Sequence, residues 1–401
     1  MANTVKETYS QNTSVFRYTV SMRFIHDGEV FNIENNRIRS IAIDYNYKEM
    51  NMPMIFLTAV LEDQLAERMD RNQDSGTIIF ELKRANVSSD MPNLYTNYIS
   101  DKFIYFININ DGGKEYSAEE DVNRTVTIGL LSLDCVNKNK KHLNGVINGN
   151  LSSLMYYITG HIPVVLEPPR KNINFVNQFL PPMNSVAKSI EYINNLATFY
   201  DTPYRFFIDF DCAYLISSSG KGITKKGEEI NTVMINLRQT YNTESKQQGM
   251  TMNEARTMYQ IEIDDEEDCE ISDNHFSEKI YSKVTAVNAS GQSFNKSIRT
   301  SEDSNVNAKN RFIRIMNDNE GILDNTVSSI NSSAIQIMVQ KADIDASVLT
   351  LNKEYIINAK EVRNNDIYNG RYLLARKREL YIRQDEEFIA NVMLLFDKAP
   401  Y

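Results

Sequence analysis

The sequence predicts a mainly β chain of the α+β class, in which two β-rich ends flank a central helix-hairpin region. Three observations predict it. Short runs alternating apolar and polar residues recur from FRYTVSMRFI at residue 16 to EEFIANVMLLFD near the C-terminus, with turn clusters between them. One strong helical period stands in the middle of the chain. The length of 401 residues exceeds what a single hydrophobic core usually serves, so two to four domains are expected.

The first fifteen residues are polar and read as an arm, and residues 16–140 as the first β unit. Within that unit, FRYTVSMRFI leads through His26, Asp27 and Gly28 into EVFNI, which reads as a hairpin, and RIRSIAIDYNY follows as a further strand. MPMIFLTAVL is read as a buried strand running into the short helix EDQLAERMDRN. TIIFELKR after Gly76, KFIYFINI and RTVTIGLLSLDCV complete the set, with Asp111, Gly112 and Gly113 marking an exposed turn. Several strands with one helix are compatible with a small β-barrel.

Residues 141–224 form the central region. Leu151, Leu154, Met155 and Ile158 predict a short helix stopped at Gly160, and Pro163, Pro168 and Pro169 predict an extended connection. In NSVAKSIEYINNLATFY, Val186, Ile190, Ile193, Leu196 and Phe199 place one apolar stripe on a 3.6-period helix. Asn184 and Ser185 are candidate N-caps. Pro203 forces Thr202 out of the helical region and ends the helix near Tyr200. YRFFIDF and AYLISS are β-prone on either side of Asp211 and Cys212, which predicts a tight hairpin with Phe206, Ile208 and Phe210 on one face.

From 225 to 401 the character is β again, with inserted loops. TVMINLRQTY, MYQIEID, IYSKVTAVNASG and RFIRIMN read as strands, and the polar stretch from Gln292 to Asn310 as a loop. AIQIMVQKA accepts either strand or helix. YIINAKEV, GRYLLARKRELYIR and EEFIANVMLLFD close the chain as three strands around the turn at Asn369 and Gly370.

Chemistry is hard to find. Net charge is −10 and the basic residues are dispersed, unlike the footprint of a sequence-reading nucleic-acid binder. KNKKH at 138–142 reads as a solvated loop. Cys135, Cys212 and Cys269 are odd in number and far apart, and His26, His142, His161 and His275 show no ligand spacing, so neither a disulfide framework nor a metal site is expected. DDEED at 264–268 lacks the spaced ligands and glycine of a calcium loop. SGKG at 219–222 lacks the Walker spacing and reads as a strand end. Asp209 and Asp211 could in principle serve as paired carboxylates, but they read better as a surface residue and a turn residue. No cofactor is called for. No apolar run approaches the roughly 20 residues of a membrane span, and no signal peptide is read, so synthesis in a reducing cytoplasm is expected.

The central passage resembles that of phage tail baseplate hub proteins, the gp27-like family, which includes the N-terminal hub part of tail-associated lysins. The resemblance is carried by the aromatic pair Phe199 and Tyr200, the turn Asp201 to Pro203, the strand containing Tyr204, Arg205, Phe207, Asp209 and Phe210, and the strand with Tyr214, Leu215 and Ser217. These are structural positions, not catalytic ones. The resemblance implies two tail-tube-like β-barrels flanking the central region. In the second, Gly370, Tyr372, Phe388, Leu394 and Phe396 stand where the family pattern wants them. It further implies a non-enzymatic virion protein, a homotrimer whose pseudo-sixfold ring joins the tail tube or distal tail protein above to a spike or tail-tip protein below. DNA would pass through the channel without specific binding. For such a protein the cytoplasm is the host's, and Tyr401 falls where the second barrel should finish. A tail-associated cell-wall lysin and a receptor- or polysaccharide-binding tail protein are the alternatives.

Overall fold

A computed structural model describes residues 17–47, 51–85, 97–116, 122–132, 164–166, 204–208, 210, 213–217, 232–238, 250–253, 258–263, 269–273, 283–287, 293–297, 310–314, 335–342, 349–350, 353–360 and 368–399. In chain order these form β1 (Arg17–His26), β2 (Glu29–Ile33), β3 (Ile38–Asn46), β4 (Asn51–Glu62), α1 (Asp63–Arg71), β5 (Thr77–Arg84), β6 (Asn97–Tyr116) and β7 (Val122–Ser132). Then come β8 (Val164–Leu166), β9 (Tyr204–Ile208), β10 (Ala213–Ser217), β11 (Thr232–Arg238), β12 (Met250–Asn253), β13 (Met258–Ile263) and β14 (Cys269–Asp273). The last are β15 (Lys283–Val287), β16 (Ser293–Ser297), β17 (Asn310–Arg314), β18 (Ile335–Ala342), β19 (Glu354–Lys360), β20 (Gly370–Gln384) and β21 (Glu387–Lys398). The protein is mainly β, as the sequence predicts.

Local chemistry accounts for the elements. The β1–β2 turn has φ of +50° at Asp27 and +80° at Gly28, the left-handed pair that a two-residue hairpin loop requires and that Asp-Gly tolerates. Along β1, Tyr18, Val20, Met22 and Phe24 are buried at period two. In β3 a register shift between Ile38 and Ser40 breaks that period. Ile38 and then Ile41, Ile43 and Tyr45 all face the core, where strict alternation would separate Ile38 from Ile41. The helix α1 buries Ala66 and Met69, and the Met69 carbonyl near its C-terminus accepts both the Asn72 N–H at 3.2 Å and the Tyr105 phenol at 2.7 Å. A side chain at Gly76 would stand 2.5 Å from the ring of buried Phe24 and 3.0 Å from the Asn72 carbonyl. Gly76→Ala is therefore expected to lower stability by about 1–3 kcal/mol, read from the urea midpoint.

Hydrogen-bonded neighbours run β1–β5–β6–β7–β4–β3–β20–β21 and return from β21 to β1, closing a circuit. The closure between β1 and β21 consists of two pairs, Arg17↔Ile389 and Tyr18↔Phe388. Six strands of this circuit lie before residue 133, and two come from residues 370–398, which the sequence alone groups with the C-terminal strands. A core of Phe24, Phe80, Phe103, Ile128, Tyr381, Phe388 and their neighbours fills its interior. α1 follows β4 next to the Ile38↔Ala59 pair, so Ala66 and Met69 join the core at one end. At the other end Phe210 packs edge-on against Tyr45 and Phe103, with ring centroids 5.8 and 5.9 Å apart.

The same sheet extends past this circuit on both sides of the β20–β21 hairpin. β19 pairs with the root of β20, followed outward by β11, β13 and β12, and β18 pairs with the final part of β21, followed by β14. The outer edge of β20 thus changes partner, from β19 at residues 370–372 to β3 at 376–382, and a bulge at Leu374/Arg376 sits at the change. The bulged Ala375 offers its carbonyl to the Tyr47 N–H at 3.0 Å. An extra residue bends and twists a strand, which is what one strand needs to serve two neighbours in different directions.

Three differences from the sequence reading have local causes. The strand β6 continues through Asp111–Gly113, with a register shift between Ile109 and Lys114 where a turn is expected, because its flanks still find partners on β7. β16 forms inside the polar stretch after Gln292, since Lys283–Val287 supplies a complete antiparallel ladder for it. β8 forms in the proline-bounded connection by pairing parallel to β10. The expected helices at 151–160 and 184–200 lie outside the described residues, as do the acidic run at 264–268 and the basic run at 138–142.

Candidate functional site

The most distinctive chemistry in the described residues lies on the inward face of β20. Lys377, Glu379 and Tyr381 point into the strand circuit at successive same-face positions, while Arg378, Leu380 and Ile382 face outward. The side chains of Lys377 and Glu379 are 1% and 0% exposed, and Lys377 Nζ lies 2.7 Å from Glu379 Oε1. The Tyr381 phenol donates to Glu379 Oε2 at 2.9 Å. Lys377 Nζ also sits 4.3 Å above the centre of the Tyr45 ring, a cation–π contact strengthened by desolvation. Tyr381 in turn meets Tyr18 edge-on at 5.0 Å. One chain of contacts therefore runs from Phe210 through Tyr45, Lys377, Glu379 and Tyr381 to Tyr18.

Two ions out of water are costly unless paired and hydrogen-bonded, and here the carboxylate has both an ammonium and a phenol on it. Burial pushes the Tyr381 phenol well above its ordinary pKa, and the Glu379 carboxylate pushes the same way by opposing a second negative charge. Burial likewise raises Tyr355 and Tyr105. The folded state holds these protons more tightly than the unfolded chain, so their contribution is complete below about pH 10 and is lost as pH rises above it. For Tyr355 and Tyr381 the expected slope is about 1.4 kcal/mol per pH unit each. Urea midpoints from pH 9 to 11.5, together with tyrosinate absorbance, would check this; a flat midpoint would contradict it.

An acid–base catalyst must come within hydrogen-bond reach of a substrate. Side chains as enclosed as Lys377 and Glu379 meet protein groups instead, so this network reads as a device of structure. Among the described residues no group of three His, Cys, Asp or Glu side chains could hold a metal ion, and no helix is long and apolar enough to cross a membrane.

On the outer face the strand register lines up Leu380, Ala42, Phe56, Gly129 and Phe106 across five adjacent strands. Phe106 is 40% exposed and its ring lies over Gly129, stacking edge-on against Phe56 at 6.1 Å. Ile382, one outward position beyond Leu380, is 50% exposed. The row is an apolar strip on a solvent-facing sheet, flanked by the Arg376–Asp44 ion pair.

The signature positions divide by location. Tyr204, Arg205 and Phe207 lie on β9, and Tyr214, Leu215 and Ser217 on β10, paired as the expected hairpin with Tyr214↔Phe207, Leu215↔Phe206 and Ser217↔Tyr204. Tyr214 is buried, and Phe210 reaches the end of the strand circuit. Phe199, Tyr200, Asp201, Pro203 and Asp209 lie outside the described residues. In the last hairpin Tyr372, Phe388, Leu394 and Phe396 are all buried, and Gly370 opens β20 with φ of +142°. Sequence reasoning missed Lys377, Glu379 and Tyr381; the available signal was a cation, an anion and a phenol at alternate positions of one strand.

No protein-family model matches the sequence, and no curated protein matches it. Solved structures do. A tail protein from Neisseria meningitidis MC58 superposes with a TM-score of 0.55 over 95% of this chain and 96% of its own, at 8% identity. The chain shares the fold of that tail protein. The 43 kDa tail protein of prophage MuSo2 from Shewanella oneidensis gives a TM-score of 0.49 at 10% identity, covering 93% of this chain and 98% of its own. The prophage tail protein gp18 from Listeria monocytogenes EGD-e gives 0.46 at 7% identity, covering 95% of each chain.

Proposed function

We propose that this protein is a structural component of a phage virion, a tail hub of the gp27-like family. In this reading three copies form a ring that joins the tail tube to the spike or tail tip, and the genome passes through its channel during ejection. The observation that carries the reading is the fold likeness, over 95% of this chain, to the tail protein from Neisseria meningitidis MC58. It is supported by the shared β20–β21 hairpin, which ties two groups of strands into one continuous sheet, a construction suited to bearing load. The apolar outer row offers contact area for neighbouring subunits. The role is non-enzymatic, with two barrel-like units per subunit giving pseudo-sixfold symmetry, and the protein resides at the tail tip after synthesis in the host cytoplasm.

Light scattering on the purified chain tests the reading, with a mass three times 46.2 kDa and a central channel in averaged electron images as the expected result. A monomer that stays monomeric when mixed with the tube and spike proteins of the same phage would overturn it. Zymography on peptidoglycan is expected to show no clearing; a cleared band would transfer the assignment to a lysin.

A further inference from the structure

We propose that the buried Lys377–Glu379–Tyr381 network is a register pin that sets where the C-terminal hairpin docks in the N-terminal strand circuit. Alternation alone cannot do this. A slip of one residue between β20 and β3 would turn every buried side chain of β20 outward, so burial forbids it. A slip of two residues keeps every side chain on its own face. The inward neighbours on either side of β20 are Ile41, Ile43 and Tyr45 on β3 and Ala390, Val392 and Leu394 on β21. The aliphatic members of this set discriminate poorly between registers.

The ladders add little on the far side, where β21 meets β1 through two residue pairs. The Arg376–Asp44 ion pair spans β20 and β3, but it lies on the outer face with side chains 41% and 31% exposed, where such pairs contribute little. The network is specific. Lys377 stands directly opposite Tyr45 in the ladder and places its ammonium over that ring, while Tyr381 reaches Tyr18 on β1. Shifting β20 by two residues sets Lys377 opposite Ile43 in one direction and, in the other, opposite Tyr47 just past the end of β3, whose N–H is bonded to the Ala375 carbonyl in the observed register. Both take the ammonium off Tyr45 and Tyr381 away from Tyr18. A buried charge that has a good site in one register and a poor one in its neighbours selects the register, as single buried polar residues do in coiled coils. The bulge at Leu374/Arg376 lies immediately beside the pin, so the fixed register extends to the point where β20 passes from β3 to β19.

Cysteine pairs on the outer face test this in the full chain, with Cys135, Cys212 and Cys269 replaced by serine. Ala42→Cys with Leu380→Cys reports the observed register, because directly opposed residues fall within disulfide reach. Ser40→Cys with Leu380→Cys, and Ala42→Cys with Ile382→Cys, report slips of two in the two directions, since diagonal neighbours at roughly 7–8 Å are too far apart to bridge. With the network intact, only the 42/380 pair is expected to oxidise. With Lys377→Met, Glu379→Leu and Tyr381→Phe together, at least one slipped pair is expected to rise from background to a yield comparable with 42/380. Exclusive 42/380 bridging in the neutralised chain would overturn the proposal. So would slipped bridges with the network intact, or a triple variant that forms no sheet, which would make the network a requirement for folding and not for register.

Discussion

Glu379→Leu is expected to lower folding stability by about 3–5 kcal/mol, the usual cost of removing one partner from a buried ion pair. The loss has an identifiable origin. Lys377 is 1% exposed, and the substitution takes away the carboxylate 2.7 Å from its ammonium and the acceptor of the Tyr381 phenol, while adding branched bulk to a filled core. The Tyr45 ring compensates only in part, since a cation–π contact replaces neither the ion pair nor the phenol's acceptor. Converting all three residues to Met, Leu and Phe is expected to recover most of the loss, because no buried charge or phenol then remains without its partner. Urea denaturation of the single and triple variants is the measurement. A single variant within about 1 kcal/mol of the parent would mean that water or another group reaches Lys377, and the enclosed network would not survive that result.

The contrast between single and triple variants explains why the strands were legible in the sequence while their most unusual chemistry was not. Alternation in β1 and β7 reports burial directly, since Tyr18, Val20 and Met22, or Val126, Ile128 and Leu130, are apolar residues at alternate positions that face the core. In β20 the same rule points to the wrong face. Leu380 and Ile382 are the aliphatic residues of RKRELYIR, yet they are outward and 36% and 50% exposed, and the lysine and glutamate are inside. Local hydropathy scores each side chain alone, whereas a buried pair is acceptable only through its partner. Ring closure was hidden for a related reason. Tyr18 and Phe388 are adjacent in the sheet but separated by nearly the whole chain, and no window on the sequence contains both. The hairpin at β9–β10 was legible because its pairing is local and its turn chemistry lies within the same short passage.

Phe210→Ala is expected to cost about 2–3 kcal/mol, toward the low end for a deleted aromatic because the residue is half-buried. Phe210 follows β9 directly and makes two edge-on ring contacts, with Tyr45 and Phe103, which tie the β9–β10 hairpin to the end of the strand circuit. Each such contact contributes about 0.5–1.5 kcal/mol beyond the area buried. Because Tyr45 carries Phe210 on one contact and the Lys377 ammonium on another, uncovering its ring also admits water toward the ion pair. Hydrogen exchange should resolve the consequence by region. Amides of β9 and β10 are expected to exchange faster than in the parent by a larger factor than those of β5 and β6, since the hairpin loses its anchor while the circuit keeps its ladders. Phe210→Leu should restore part of the protection through its bulk, without the edge-on contacts. Uniform acceleration across all four strands would instead place Phe210 in the global folding unit, and unchanged exchange in β9 and β10 would mean that the hairpin is held by contacts other than this ring.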